Sequence, residues 1–225
     1  MGDVLALIPA FQEAERVGRV VTAALARLPV LVVDDGSTDG TATAAAAAGA
    51  TVVIQVPNQG KGAALRAGFA WALARDVEAV VTLDADGQHD PGEIPAFLKA
   101  YRQTGADLVI GRRDFRRMPP TRRLANELGR RAMSWAAGRD IPDNQSGYRL
   151  LSRRLMAALE SSQETGFEFE VEMITTCIRA GFALEWVPIR TIYAGEASHI
   201  QPWRHLSSFV RIVRTTRRTV RTPLP

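Results

Sequence analysis

Five short runs of valine, isoleucine and leucine, each followed by a stretch with helical spacing, dominate the first half of this chain. They are Val4–Pro9, Val30–Val33, Val52–Val56, Val80–Leu83 and Leu108–Ile110. Runs this short and this apolar suit strands covered on both faces. Between them, Ala14–Leu28, Thr41–Ala48, Gly62–Arg75 and Glu93–Thr104 carry helical periodicity. Strand and helix taking turns predicts right-handed βαβ units, hence an α/β fold with a mostly parallel central sheet and helices on both faces.

Ligands of such sheets bind outside the carboxyl ends of the strands, so polar residues should gather just after the apolar runs. They do. Pro9-Ala10-Phe11-Gln12-Glu13 follows the first run, Asp34-Asp35-Gly36-Ser37 the second, Asp84-Ala85-Asp86-Gly87-Gln88-His89 the fourth and Gly111-Arg112-Arg113 the fifth. Asp84-x-Asp86 carries the most chemistry. Two carboxylates at a strand end can share one hard divalent cation, with a ligand's diphosphate supplying further oxygens. Asp34 or Asp35 can accept hydrogen bonds from a base or ribose, while Thr38 or Asp39 caps the next helix and Gly36 turns the chain. Lys61, flanked by Gly60 and Gly62 at a helix start, suits an anion. Neither the phosphate-loop spacing nor a G-x-G-x-x-G after the first strand is present, which argues against NTPase and dinucleotide-dehydrogenase chemistry.

Beyond Arg113 the alternation fails. Met118-Pro119-Pro120 precedes a basic helical stretch, Thr121–Ala137, and Asp143–Arg149 forms a polar turn. Glu170–Ala180 reads as a helix and Leu184–Tyr193 as a strand kinked at Pro188. Trp203–Thr222 reads as an amphipathic helix, with Leu206, Phe209, Val210, Val213 and Val220 on one face and Arg204, Arg211, Arg214, Arg218 and Arg221 beside it. Net charge is only +4, but eight arginines fall between Arg112 and Arg131 and six between Arg204 and Arg221. Such tracts seek phosphates or an anionic membrane surface. The expected organisation is a catalytic domain over residues 1–200 and a basic amphipathic helix over 201–225 that touches a membrane peripherally. Neither an export signal nor a transmembrane helix is read. The lone Cys177 sits in an apolar pattern as a buried thiol, consistent with a cytoplasmic protein acting at the inner face of a membrane.

Together and in this order, the motifs resemble the family 2 glycosyltransferases, in particular the dolichyl- or polyprenyl-phosphate sugar synthases. The stretches that carry the resemblance are Ile8–Glu13, Val32–Thr41, Asn58–Leu65, Leu83–Pro91, Asp143–Arg149, Phe167–Glu172 and Val187–Ile189. The resemblance implies a GT-A fold, inversion at the anomeric carbon, and Mg²⁺ or Mn²⁺ held by Asp84, Asp86 and Gln88. It implies that Pro9, Ala10, Glu13, Asp35 and Lys61 line the nucleotide pocket, and that Arg113 and Arg122 approach donor or acceptor phosphates. The donor-side set is completed by Phe11, Asp34, Asp84, Ala85 and Asp86, and the catalytic candidates are Asp84, Asp86, Asp143 and Arg122. Phe11-Gln12 stands where Tyr-Asn is commoner, and Tyr193 with Ser198-His199 where many lipid-phosphate synthases carry Arg and Ser-Lys.

The expected reaction moves mannose or glucose from GDP-mannose or UDP-glucose to a polyprenyl phosphate, whose oxygen is already ionised and needs no strong base. A hydroxyl acceptor would instead need a carboxylate to take its proton, with Asp143, Glu168 and Glu170 as candidates. The alternatives are a non-catalytic nucleotide- or membrane-binding module and a nucleotidyltransferase. The latter lacks its Gly-rich basic loop here. Nucleic acid is not expected, since aromatic residues are not interleaved with the arginines.

Overall fold

The computed structural model describes residues 3–114, 120–166, 168–190 and 213–220, with the side chains of 120–126 outside the described set. The strands are β1 (Val4–Ala10), β2 (Val30–Asp34), β3 (Thr51–Ile54), β4 (Ala79–Thr82), β5 (Leu108–Arg113), β6 (Arg149–Ser152) and β7 (Leu184–Ile189). The helices are α1 (Ala14–Leu25), α2 (Thr41–Ala47), α3 (Lys61–Leu73), α4 (Ile94–Thr104), α5 (Pro120–Ala137), α6 (Arg153–Ala158) and α7 (Glu168–Arg179), with residues 213–220 forming α8.

The strands form one seven-stranded sheet in the order β3-β2-β1-β4-β6-β5-β7. All pairings are parallel except those of β6, which runs antiparallel between β4 and β5. The α/β, mostly parallel architecture is therefore the one the sequence predicts. β6 and α6 were not foreseen as elements, because Arg149–Ala158 has only a short apolar run with arginines on both sides. β3 ends at Ile54 rather than Val56, and Pro188 lies within β7, which flanks the described sheet on one side, where proline is tolerated.

Alternation along the strands splits the core in two. Leu5 and Leu7 of β1 join Leu31, Val33, Phe69, Leu151, Phe169 and Ile174 on the face covered by α3, α6 and α7. Ala6 and Ile8 join Val17, Val21, Val32, Ile94, Phe97 and Leu150 on the face covered by α1 and α4. Cys177 is buried in the first cluster, and burial pushes its thiol up to about 12, so it is an inert packing group. At the amino edge of the sheet, Asp107 is 2% exposed and accepts from Ser152 Oγ at 2.8 Å, from the Ala183 amide at 3.0 Å and from Arg154. That aspartate ties together the ends of β5, β6 and β7.

Helix α3 carries the lysine at its first position, so its seating on β1 matters to the site. Gly68 makes that seating possible: a Cβ there would fall 2.4 Å from Leu7 Cδ1 and 2.6 Å from Leu7 Cδ2. Leu7 has no solvent exposure and cannot swing aside freely. Gly68→Ala should therefore cost about 1–3 kcal/mol through overpacking, despite alanine's better helix propensity. Thermal unfolding should show the midpoint falling by several degrees, and an unchanged or raised midpoint would show that α3 shifts without penalty.

Candidate active site

The carboxyl ends of β1, β2 and β4 bring their loops together, and hydrogen bonds between the loops fix their shape. Gln12 adopts a positive φ of 56°, uncommon for a residue with a long side chain. Its amide donates to Ser37 Oγ at 2.9 Å, and its side-chain oxygen accepts from the Thr38 amide at 2.8 Å. The left-handed backbone gives a physical reason for asparagine being commoner at this place. Asp39 accepts from the Thr41 amide at 3.0 Å, from Thr41 Oγ1 at 2.6 Å and from the Ala14 amide at 3.1 Å. The N-cap of α2 is Gly40 rather than Thr38 or Asp39, but the Asp39 side chain accepts from the first amides of both α1 and α2, and the Thr41 hydroxyl followed by the Ala14 amide holds its carboxyl below the usual range.

The two aspartates after β2 turn out to be committed to the loops themselves. Asp34 is 2% exposed and accepts from the amide of Ser37 at 3.1 Å and from its hydroxyl. Asp35 is 3% exposed, and its two oxygens accept from the Gln59 amide at 2.9 Å and the Gly60 amide at 2.7 Å. Its carboxylate is spent on placing the loop that starts α3, and with it Lys61. Pro9 and Ala10 are buried at the end of β1, Phe11 is 49% exposed, and Glu13 pairs with Arg16 at 3.4 Å. Ala85 is buried within the core, so only its backbone faces the loop edge.

Lys61, Asp84 and Glu170 form the centre. The ammonium lies 2.6 Å from Asp84 Oδ1 and 2.9 Å from Glu170 Oε1, with the Glu170 side chain only 6% exposed. Burial is the largest influence on Asp84 and acts upward, but the charge of Lys61, with the hydrogen bond it donates, outweighs it and the carboxyl comes down to about 2. Burial likewise works against the Lys61 ammonium, and the two carboxylates overcome it, raising its pKa. Gly147 packs on this trio: a Cβ would stand 3.0 Å from both Asp84 Oδ2 and Lys61 Nζ, and 3.1 Å from Glu170 Oε1. The next carboxylate of the turn, Asp86, accepts from the Gln88 amide at 2.8 Å through one oxygen. Burial, with Asp84 adding to it, pushes the Asp86 carboxyl above its usual range, which a bound cation would relieve.

The turn is braced from beneath by rings. The Asp84 amide donates to His89 Nδ1 at 3.1 Å, so the imidazole accepts at Nδ1 and is neutral, as its burial also favours. His89 lies 5.0 Å from Tyr148, which stacks on Phe97 at 4.4 Å, and the Tyr148 hydroxyl donates to the Asp90 carbonyl at 3.0 Å. Arg113 Nε and Nη2 donate to the two oxygens of Asp143 at 2.7 and 2.9 Å. Asp143, a candidate base for a hydroxyl acceptor, is thus held in a bidentate pair with its side chain 1% exposed. The side chain of Arg122 lies outside the described residues, as do Tyr193, Ser198, His199 and His205.

Arg149 was quoted in the sequence only as the end of a turn, and the structure gives it a central place. It has no solvent exposure, and its guanidinium donates to the carbonyls of Ser146 at 2.7 Å, Asn144 at 3.3 Å and Glu170. Its counter-charges are Glu170, Asp143 and Asp84. Ser146 Oγ, buried in the same loop, finds no hydrogen-bond partner among the described residues. An arginine opening a short apolar run is the only sequence signal that could have flagged this, and it is weak.

Among the described residues no group of three acidic, histidine or cysteine side chains could by itself hold a metal ion. Asp84, Asp86 and the Gln88 amide are nevertheless a hard-oxygen donor set on one turn. They fit a divalent cation that takes its remaining ligands from a diphosphate and water.

Comparison with known proteins agrees with this fold. The description "Glycosyl transferase family 2" matches residues 6–159. An undecaprenyl-phosphate mannosyltransferase of Micrococcus luteus is 35% identical over 205 residues, spanning 83% of this chain and 82% of that protein. A polyprenol monophosphomannose synthase of Mycolicibacterium smegmatis is 34% identical over 202 residues, spanning 82% and 76%. A crystal structure of glucosyl-3-phosphoglycerate synthase from Mycobacterium tuberculosis, in complex with Mn²⁺, UDP and glucosyl-3-phosphoglycerate, superposes with a TM-score of 0.71 at 25% identity, covering 96% of this chain and 78% of that one.

Arg149→Met tests the buried centre. Removing the charge leaves Glu170 and Asp84 with one cation fewer and three carbonyls without a donor, which should cost about 3–5 kcal/mol. Urea denaturation followed by circular dichroism reads the loss, and a cost below about 1 kcal/mol would mean that Arg149 only fills space.

Proposed function

The chain belongs to glycosyl transferase family 2, and from that premise we propose that it moves a hexose, with inversion, from a nucleotide-diphosphate donor to a polyprenyl phosphate. Its fold is the GT-A arrangement. The observation that carries the proposal is the pairing of the Asp84-Ala85-Asp86 turn with Lys61 at the carboxyl edge of the sheet, next to the ion-paired Asp143 and Glu170. GDP-mannose is the first donor to try, because two relatives are named as mannosyl- or phosphomannose-forming enzymes. UDP-glucose is the second, because a solved neighbour holds UDP.

In this reading the loops after β1 and β2 cradle the nucleoside through backbone groups near Pro9, Ala10 and Glu13, with exposed Phe11 as a ring to stack on a base. The carboxylates of Asp34 and Asp35 serve indirectly, by fixing those loops. Lys61 meets the diphosphate, and Asp84, Asp86 and Gln88 hold Mg²⁺ or Mn²⁺. A divalent cation bound there supplies charge neutralisation for the departing diphosphate. Asp143 fixes the plane of Arg113 so that its guanidinium can orient a phosphate. The acceptor phosphate oxygen attacks the anomeric carbon as the nucleoside diphosphate leaves, with Lys61 stabilising the leaving charge. Asp143 and Glu170 are each held against a cation, which suits an acceptor that has no proton to give up.

No helix among the described residues is long and apolar enough to cross a membrane. A peripheral contact is supported by the outer face of α5. Leu128 and Trp135 lie two turns apart and are 59% and 60% exposed, and the Arg131 side chain between them is 72% exposed. Helix α8 lies alongside: Arg217 sits 3.4 Å from the centre of the Trp135 ring, Thr216 is buried, and Arg214 and Arg218 are exposed. The described part of the C-terminal helix is thus docked on its own domain, with Arg214 and Arg218 outward and Arg217 against Trp135, and residues 203–212 lie outside the described set. Seating Trp135 in the interface would contribute about 2–3 kcal/mol.

Purified protein given radiolabelled GDP-mannose or UDP-glucose, Mn²⁺ and polyprenyl phosphate should place label in the organic phase. EDTA, or Asp86→Ala, should cut that label at least about a hundredfold. Metal-dependent donor hydrolysis without lipid label would move the acceptor to a soluble hydroxyl, and donor binding with neither outcome would favour the non-catalytic module. Separately, Leu128→Ala/Trp135→Ala should weaken co-sedimentation with anionic vesicles by about tenfold or more, and unchanged sedimentation removes α5 from the interface.

A further inference from the structure

The metal ligand Asp84 is already occupied by a cation from the chain itself. Lys61 Nζ lies 2.6 Å from Asp84 Oδ1, whereas a small divalent ion must approach a carboxylate oxygen to about 2.1 Å. Both cannot sit in front of that oxygen, because two cations so close repel strongly in a part-buried site. One must move. The Lys61 side chain has a flexible stem and is 22% exposed, while Glu170, its second partner, is 6% exposed and fixed in α7. Gly147 closes the opposite side of the seat, since even a Cβ there would stand 3.0 Å from the ammonium.

Charge points the same way. The cluster holds the cations Lys61, Arg113 and Arg149 against the carboxylates Asp84, Asp86, Asp143 and Glu170. Among the described residues it therefore carries one negative charge in excess. A divalent cation arriving alone would turn that into an excess of positive charge in a part-buried site. A diphosphate arriving with it brings the missing negative charge and offers Lys61 new oxygens.

We propose that Lys61 keeps the Asp84 ligand position closed in the free protein and releases it when a diphosphate draws the ammonium away, so that divalent cation and nucleoside diphosphate bind as a coupled pair. Glu170 is the positioning residue: it holds the ammonium between the two sites and shares the load with Asp84. The inference rests on the placement of the cation given under the proposed function.

The test is Mn²⁺ binding to the full chain without nucleotide or acceptor, read from the loss of the free-ion EPR signal. Removing the competitor and its tether together, in Lys61→Met/Glu170→Gln, should tighten nucleotide-free Mn²⁺ binding by about tenfold, a usual size for coupling between two sites. Glu170→Gln alone should weaken it by about threefold or more, because the ammonium then rests wholly on Asp84. Equal affinity for the wild type and the double variant overturns the proposal, as does tighter binding by Glu170→Gln. Should the double variant fail to fold by circular dichroism, the direction of the Glu170→Gln change decides alone. Asp86→Asn separates this idea from the one beneath it. If that variant still binds Mn²⁺ as the wild type does, the cation does not sit on this turn and the proposed metal placement fails too. If it loses Mn²⁺ while the double variant matches the wild type, only the Lys61 mechanism falls.

Discussion

The guanidinium of Arg149, sealed from solvent at the start of β6, is the constraint around which the carboxyl edge is arranged. A buried cation is tolerated only when hydrogen bonds and counter-charges replace its water. Arg149 obtains them from the carbonyls of Asn144, Ser146 and Glu170 and from the charges of Glu170, Asp143 and Asp84. In meeting that need the chain fixes the loop before β6, seats the start of α7, and brings Glu170 within reach of Lys61. The antiparallel β6 is part of the same solution. Entering between β4 and β5 against the direction of its neighbours, it brings its own first residue to the edge where the parallel strands end.

Lys61 depends on a second set of constraints. Asp35 binds the amides of Gln59 and Gly60, which sets where α3 begins, and Gly68 lets the helix lie against Leu7 of β1. Asp84 is set by the His89–Tyr148–Phe97 stack beneath its turn. The central ion pair therefore joins two independently supported elements, and its geometry does not rely on flexible side chains alone. Asp86 belongs to the same turn but has no cation of its own among the described residues, and burial raises its carboxyl. A site whose one under-compensated carboxylate faces a paired one is prepared for an additional positive charge.

Much of this was legible in the residues. The β1–α1–β2 and β4 segments and the gathering of loops at one edge follow from hydrophobic period and from polar clusters at strand ends. What was not legible was which polar residue is tied to the loops by its own hydrogen bonds. Asp34 and Asp35 look the same in sequence as Asp84 and Asp86, yet one oxygen of Asp34 and both of Asp35 accept from neighbouring backbone amides. Asp143, a candidate base only for a hydroxyl acceptor, is a bidentate partner of Arg113. Residues 150–158 gave no periodic signal long enough to separate a four-residue strand from the short helix that follows it.

The sequence by itself determined the fold class and the edge that carries the chemistry, because strand period, helix period and turn composition are local properties that survive in a one-dimensional pattern. It also determined the family, because several short motifs occur in one order. Only the tertiary structure decided that Lys61 bridges Asp84 and Glu170, residues separated from it by 23 and 109 positions, and that Arg149 lies beside them with no solvent exposure. Charge pairing of this kind depends on distance, burial and the dielectric around each group, and none of these is fixed until the sheet has brought distant loops together.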